Sequence, residues 1–442
     1  MTQVVIKCSG IKSAVTNEQG VYILANLAAI RSPSVQARSF QAIQYTELAM
    51  KHPSFYSRSS LLVASLAIQL ITVTASGGGG SSGVTSSSTV AALKNYNAMF
   101  TFGDSMDETG NICAASSNKT ELDVLTCTRS PYGETYFGRP ACRWCDGRVV
   151  VDFIAQALGL PFVPPSKAKG KDFRRGVSMA ITGGTAMNFS FYKSLGIEDP
   201  VWNHGSLDTQ IQWFKELMPS ICGTERSCKG YLKESLFMFG GYGGNDYNVQ
   251  LLELGLTPLQ AMNYTPKIVT AIANGVEKLI ALGAVHVVVP GIFPTGCLPI
   301  FLSLFGDAAG ETDFDGTGCL KPHNRLTEYH NSLLRKQVDA LQRKHHNSTR
   351  IMYADYYSLV YQMVQEPEKF GFSKPFEACC GAGGGKYNFD VTARCGMEGA
   401  TTACRDPSTR LSWDGIHPTE EVNKVIAGAL LRGPYCTPPI LG

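Results

Sequence analysis

The sequence predicts an α/β fold, in which a five-stranded parallel sheet is covered by helices on both faces to make a three-layer sandwich. Two observations lead there. Short, nearly continuous apolar runs recur at 97–102, 177–182, 236–240, 284–290 and 350–354. Longer helical patterns lie between or beyond them, near 149–158, 207–217, 258–282, 322–345, 356–366 and 419–432. Strands buried on both faces need no polar alternation, and the helices supply the crossovers that parallel pairing requires. With 442 residues and 44% apolar content the chain can bury a large core. No internal repeat or second linker divides it after residue 95, so 95–442 reads as one domain.

The residues before that domain read differently. The run LLVASLAIQLITVTA at 61–75 follows Lys51 and Arg58, the layout of a secretory signal, and is too short to favour a membrane span. Met50 starts a complete signal of this kind, so 50–75 is expected to be a signal-like segment cleaved near Ala75, with 1–49 an upstream extension or a mis-called start. A buried apolar helix is the competing reading. Residues 76–94 form a Gly/Ser-rich linker. The G-x-S-x-G match at 79–83 falls within that linker, without the strand and helix that a nucleophile turn needs, and is set aside.

Composition narrows the function. A net charge of +3 without a dense basic block argues against nucleic-acid binding. Fourteen cysteines at scattered spacings suit disulfides in an oxidising compartment better than one metal site. Four glycosylation sequons, at Asn118, Asn188, Asn263 and Asn347, agree with secretion.

Chemistry begins at TFGDSMDETGN, residues 101–111, where Ser105 follows the first strand at the carboxyl edge of the sheet. A serine hydroxyl is a weak nucleophile and needs a base, usually a histidine oriented by a carboxylate. Of eight histidines, His345 and His346 end a helix and face solvent, His323 and His330 belong to another helical surface, and His286 lies within a strand. His417, in SWDGIHPTEE, stands three residues after Asp414, a spacing that brings a carboxylate to one imidazole nitrogen across a turn. A purely structural turn would also account for that pair. An oxyanion hole needs donors aimed at developing charge. The glycine clusters at Gly183-Gly184 and Gly243-Gly244-Asn245 end the second and third strands, where they can supply such donors or form tight turns.

The blocks FGDSMDETGN, GVSMAITGGTAMN, FGGYGGNDYN and WDGIHPT, in this order, resemble those of the plant secreted GDSL-motif esterases/lipases, the SGNH hydrolases. PYGETYFGRP, VVVPGIFPTGCLPI and CCGAGGGKYNF extend the resemblance over nearly the whole chain after the linker. It implies a flavodoxin-like α/β/α sandwich and no metal or organic cofactor. It makes Ser105 the nucleophile, with Asp414 and His417 completing the triad. The oxyanion hole would comprise the Ser105 amide, Gly183 and Asn245. The expected partner is a small-molecule, lipid or carbohydrate ester, with no nucleic acid and no stable membrane insertion. The expected place is outside the cell, in the wall or apoplast, or the vacuole. Asp104 is expected to anchor the serine turn through backbone amides rather than serve as the triad acid.

The chain departs from that family's pattern at several positions. Ser178 and Met179 stand where asparagine and phenylalanine are usual, Gly241 where a glutamate is usual, and Glu108 where aspartate is usual. Cys142 and Cys145 form a C-x-x-C pair without a second ligand pair, so a disulfide between them or two separate ones is expected. Cys222–Cys228 and Cys297–Cys319 are expected local bridges. GAGGGKY lacks the spacing of a phosphate-binding loop. Two other readings stay open: acyl transfer from the same acyl-enzyme to an alcohol, and a non-catalytic wall-associated binding protein on the same fold.

Overall fold

The computed structural model describes residues 95–116, 122, 125–197 and 205–442, with the backbone of a short hairpin pairing Ala14–Asn17 with Gly20–Ile23. The signal-like segment 50–75, the linker 76–94, the G-x-S-x-G match and the Asn118 sequon lie outside the described residues, as does most of 1–49.

Five parallel strands make the sheet: β1 (Met99–Phe102), β2 (Gly176–Ser178), β3 (Leu236–Phe239), β4 (His286–Pro290) and β5 (Arg350–Ala354). A sixth, β6 (Cys436–Thr437), adds antiparallel to β5 at one edge. The order is β2-β1-β3-β4-β5-β6. Two residues beside prolines carry no strand signal, so β6 was beyond the reach of the sequence pattern. β2 is shorter than expected, although the Met179 and Ile181 amides still donate to the Thr101 and Gly103 carbonyls.

Alternation along the strands sorts side chains to two cores. Phe100, Phe102, Phe237, Phe239, Val287 and Val289 face one layer of helices, α2 (Leu207–Cys222), α4 (Thr265–Leu282) and α5 (Lys321–Lys344). Met99, Met238, Val288 and Met352 face the other, α1 (Val150–Ala157), α6 (Tyr356–Gln365) and α7 (Glu420–Arg432). Each such fully buried side chain contributes about 1.5–3 kcal/mol. α3 (Gly244–Asn248) is a short helix just after β3.

The strand order reverses between β1 and β3, since β1 continues to β2 on one side and β3 to β4 on the other. Crevices at such reversals, beyond the carboxyl ends of the strands, are where open α/β sheets hold ligands.

Two expectations need correction. His323 and His330 are not on an exposed surface: they are 4% and 0% exposed, on the buried stripe of α5 with Leu326, Thr327 and Leu334. They share a face because 323, 327, 330 and 334 recur at helical spacing. Burial lowers both imidazoles, to about 4 for His323 and about 3 for His330. The second correction concerns Cys142 and Cys145. Cys142 bonds Cys113, whereas Cys145 is a buried thiol that accepts from Asn423 Nδ2 at 3.4 Å. The two side chains leave their loop in different directions, one toward helix Asn111–Ala115 and the other toward α7. Cys222–Cys228 and Cys297–Cys319 pair as expected, and Cys379–Cys404 and Cys380–Cys395 staple a further loop.

Candidate active site

Ser105 sits at the end of β1 in a turn that the local sequence shapes closely. Gly103 has φ +140°, and a Cβ there would meet the Gly240 carbonyl oxygen at 2.6 Å, so only glycine fits. Buried Gln210 of α2 pins the turn from both sides, accepting from the Gly103 amide at 2.9 Å and donating to its carbonyl at 2.7 Å. Asp104 Oδ1 accepts the Met106 amide at 2.9 Å, an Asx turn that holds Ser105 toward the crevice.

Asp414 and His417 enter from the opposite end of the chain, on the loop before α7. The Trp413 amide donates to the His417 carbonyl at 2.8 Å, closing a tight turn around the intervening residues. Asp414 Oδ1 accepts the Ile416 and His417 amides at 3.0 and 2.8 Å. This leaves Oδ2 to accept from His417 Nδ1 at 2.8 Å. His417 Nε2 in turn lies 2.8 Å from Ser105 Oγ, across 312 positions of sequence. A carboxylate can only accept here, so Nδ1 carries the ring proton and Nε2 is free to accept from the serine hydroxyl. Burial alone would raise the Asp414 carboxyl; the His417 ring and the two amides outweigh it and hold the group below the ordinary aspartate value.

Two residues that sequence reasoning missed complete this relay. Tyr132 donates its hydroxyl to Asp414 Oδ2 at 2.8 Å. Trp144 stacks on the His417 ring, with centroids 5.4 Å apart and planes 25° off parallel. Its indole N–H donates to Thr182 Oγ1 at 2.6 Å, and Glu108 Oε2 accepts from the Thr182 amide at 2.7 Å. Glu108 Oε1 also accepts the Gly110 amide at 2.9 Å. The longer acid at position 108 thereby reaches the segment after β2. Trp144 lies between the two cysteines of C-x-x-C; an aromatic beside a histidine only in three dimensions leaves no local signal.

The oxyanion candidates are close by. The Ser105 and Gly183 amides donate to no protein acceptor among the described residues. Asn245, on α3, lines the same crevice as Ser105. Its Nδ2 donates to the Gly184 carbonyl at 3.1 Å and toward Asp104 Oδ2 at 3.3 Å. Asp246 beside it accepts the Ala186 and Met187 amides at 2.8 and 2.9 Å, which ties the Gly183 turn to α3. Gly241 also lines the crevice at φ +71°, and a Cβ there would meet Asp104 Oδ1 at 2.9 Å. Of the sequons, Asn188, Asn263 and Asn347 are exposed.

Asp104 carries a pH consequence. Burial pushes its carboxyl up to about 7, against the Met106 amide and the His417 ring, which pull it down. Between the ordinary value of 3.8 and about 7 the native state keeps a proton that the unfolded chain releases. This contribution to stability is therefore full below 3.8 and is lost as pH rises through about 7. Thermal unfolding at a series of pH values is expected to show Asp104→Asn gaining on the wild type by a few kcal/mol between those limits; a constant gap would refute it.

A cavity of about 110 Å³ opens beside Ser105 and His417, with walls that include Ile292, Phe293, Leu298 and Phe301. A hydroxyl, imidazole and carboxylate in hydrogen-bonded series, at the reversal point of a parallel sheet and facing an apolar pocket, define the class of α/β ester hydrolases. The chain belongs to a particular family within it, the GDSL-like lipase/acylhydrolases, whose family model matches residues 99–430. It is 41% identical over 349 residues to the GDSL esterase/lipase At5g45910 of Arabidopsis thaliana, covering 78% of this chain and 92% of that protein. It is 39% identical to GDSL esterase/lipase At1g28600 of the same plant, covering 78% of this chain and 86% of the relative. It is also 39% identical to a sinapine esterase of Brassica napus, covering 79% and 89%. The protein is a carboxylic ester hydrolase that acts on small ester substrates. No helix among the described residues is long and apolar enough to cross a membrane.

Proposed function

We propose that the protein is a secreted serine esterase that cleaves carboxylic esters through an acyl-enzyme. The observation that carries this reading is the relay in which Ser105 Oγ, His417 Nε2, His417 Nδ1 and Asp414 Oδ2 are joined by two contacts of 2.8 Å. Ser105 Oγ attacks the ester carbonyl carbon while its proton passes to His417 Nε2. The tetrahedral oxyanion is met by the Ser105 and Gly183 amides and by Asn245, whose longer bond, to Asp104, is the one to turn toward substrate. Collapse breaks the carbon–oxygen bond to the alcohol, which leaves with the proton from His417. Water then repeats the sequence, with His417 accepting its proton and returning one to Ser105 as the acid departs. Asp414 stabilises the imidazolium in both halves, and Trp144 and Tyr132 hold ring and carboxylate in place.

Secretion is supported by the signal-like segment and by five disulfides among the described residues, a density that suits an oxidising compartment. The exposed sequons are accordingly proposed as glycan sites, together with Asn118.

A fluorophosphonate probe tests the mechanism. Labelling of the native protein at Ser105, mapped by peptide mass and abolished by heat denaturation, is the expected result. Failure to label, or labelling at another residue, would overturn the assignment.

A further inference from the structure

The cavity beside Ser105 carries one feature that general ester hydrolysis does not require. Arg394 lines it, together with walls that are otherwise largely aliphatic and aromatic. Among the described residues its guanidinium makes no ion pair, side-chain hydrogen bond or ring contact. Several other arginines of this protein pair with carboxylates: Arg143 with Asp152, Arg148 with Glu420, Arg335 with Asp355 and Arg410 with Glu377. Of the two acids four residues away, Asp390 spends its Oδ1 on the Thr392 amide and hydroxyl at 2.7 and 2.6 Å, and Glu398 is exposed and makes no ion pair with Arg394. Asp104 lines the same cavity, but its carboxyl is shared between the Met106 amide and Asn245. Burial moreover favours its neutral form up to about pH 7.

The backbone that carries Arg394 is also held in place. Arg394 immediately precedes Cys395, which is bonded to Cys380. The Cys380 amide donates to the Trp413 carbonyl at 2.7 Å, and the Cys379 amide to that of Ser412 at 2.9 Å. The stapled loop is therefore fastened to the segment that carries Asp414 and His417. Phe389 of the same loop packs against Gly415, where a Cβ would meet its ring at 2.2 Å. These contacts fix the point at which the Arg394 side chain leaves the backbone, at the edge of the cavity that holds the nucleophile. A guanidinium presents a planar fork of donors that matches a carboxylate in two bonds.

We propose that Arg394 makes this site selective for esters whose apolar body carries an anionic group, a carboxylate in the simplest case, and disfavours esters bearing a cation. The inference rests on the serine-esterase reading and adds the charge class of the substrate. The apolar walls take the hydrocarbon or aromatic part, and Arg394, the one Lys or Arg among the described residues lining this cavity, supplies a charge that no carboxylate there pairs.

Two matched substrate series test it. In the acyl series, 4-nitrophenyl esters of suberic acid monoanion, its neutral methyl ester and 8-(trimethylammonio)octanoate are compared. In the alcohol series, butyrate esters of 4-hydroxybenzoate, its methyl ester and 4-(trimethylammonio)phenol are compared. The readout is the ratio of kcat/KM for anionic over neutral ester within each enzyme, which cancels differences in active fraction. In one series or the other, Arg394→Gln is expected to lower this ratio about tenfold, Arg394→Lys to retain part of it, and Arg394→Glu to turn preference toward the cation. The series that responds tells whether the anion belongs to the acid or the alcohol. If the variants do not fold, the wild-type ratio must still fall as salt rises from about 0.02 to 0.5 M, because a partly exposed pair is screened. Neutral-ester turnover with ratios that ignore both Arg394 and salt would overturn the inference while leaving the esterase reading intact. No turnover of any ester, together with no fluorophosphonate labelling, would bring both down.

Discussion

Ser105→Ala is expected to lower kcat for a short-chain 4-nitrophenyl ester by about 10⁴-fold or more. In the proposed mechanism the alanine removes the atom that forms the acyl bond, and the His417 ring then faces a methyl group. The fold should be unaffected, because Ser105 Oγ bonds nothing but His417 Nε2 among the described residues. The melting temperature is thus expected to stay close to that of the wild type. Undiminished hydrolysis by a folded Ser105→Ala protein would remove Ser105 from the mechanism.

Asp414→Asn is expected to cost a similar factor, about 10⁴ in kcat, for a different reason. Asp414 Oδ1 already accepts two backbone amides, so an asparagine keeps its oxygen there and turns its NH₂ toward His417. The ring must then accept at Nδ1 and carry its proton on Nε2, the atom that has to take the serine proton. Tyr132 can rotate its hydroxyl to accept instead of donate, which limits the structural damage. Steady-state kinetics beside a thermal melt separates the cases: a large loss of kcat at little change in melting temperature supports the tautomer argument. Retained activity would show that Asp414 does not orient the ring.

Much of the sheet was legible because its strands are apolar runs without interruption. β5 matches its expected limits of 350–354, and the limits of β3 and β4 differ by only one or two residues. α2 runs to Cys222 rather than 217 and carries Pro219 inside its last turn. The burial of His323 and His330 was also written in the sequence, at helical spacing, but imidazoles read as polar obscured the stripe. At the site, Asp414 and His417 are joined by a local turn, which spacing reveals. Gln210, Trp144 and Tyr132 act on residues about 107, 273 and 282 positions away, by hydrogen bond or stacking. No period or motif encodes such contacts.

Sequence alone therefore determined the layered α/β plan, the turn that presents Ser105 and the loop that pairs Asp414 with His417. Each leaves a signal in residues a few positions apart, as apolar runs, a glycine turn or a short spacing, even where distant residues such as Gln210 complete it. Tertiary structure decided that hydroxyl and imidazole lie 2.8 Å apart, that Cys142 joins Cys113, and that Arg394 lines the pocket without an ion pair among the described residues. Those outcomes depend on how whole layers pack against one another, and packing brings together side chains that share no local rule.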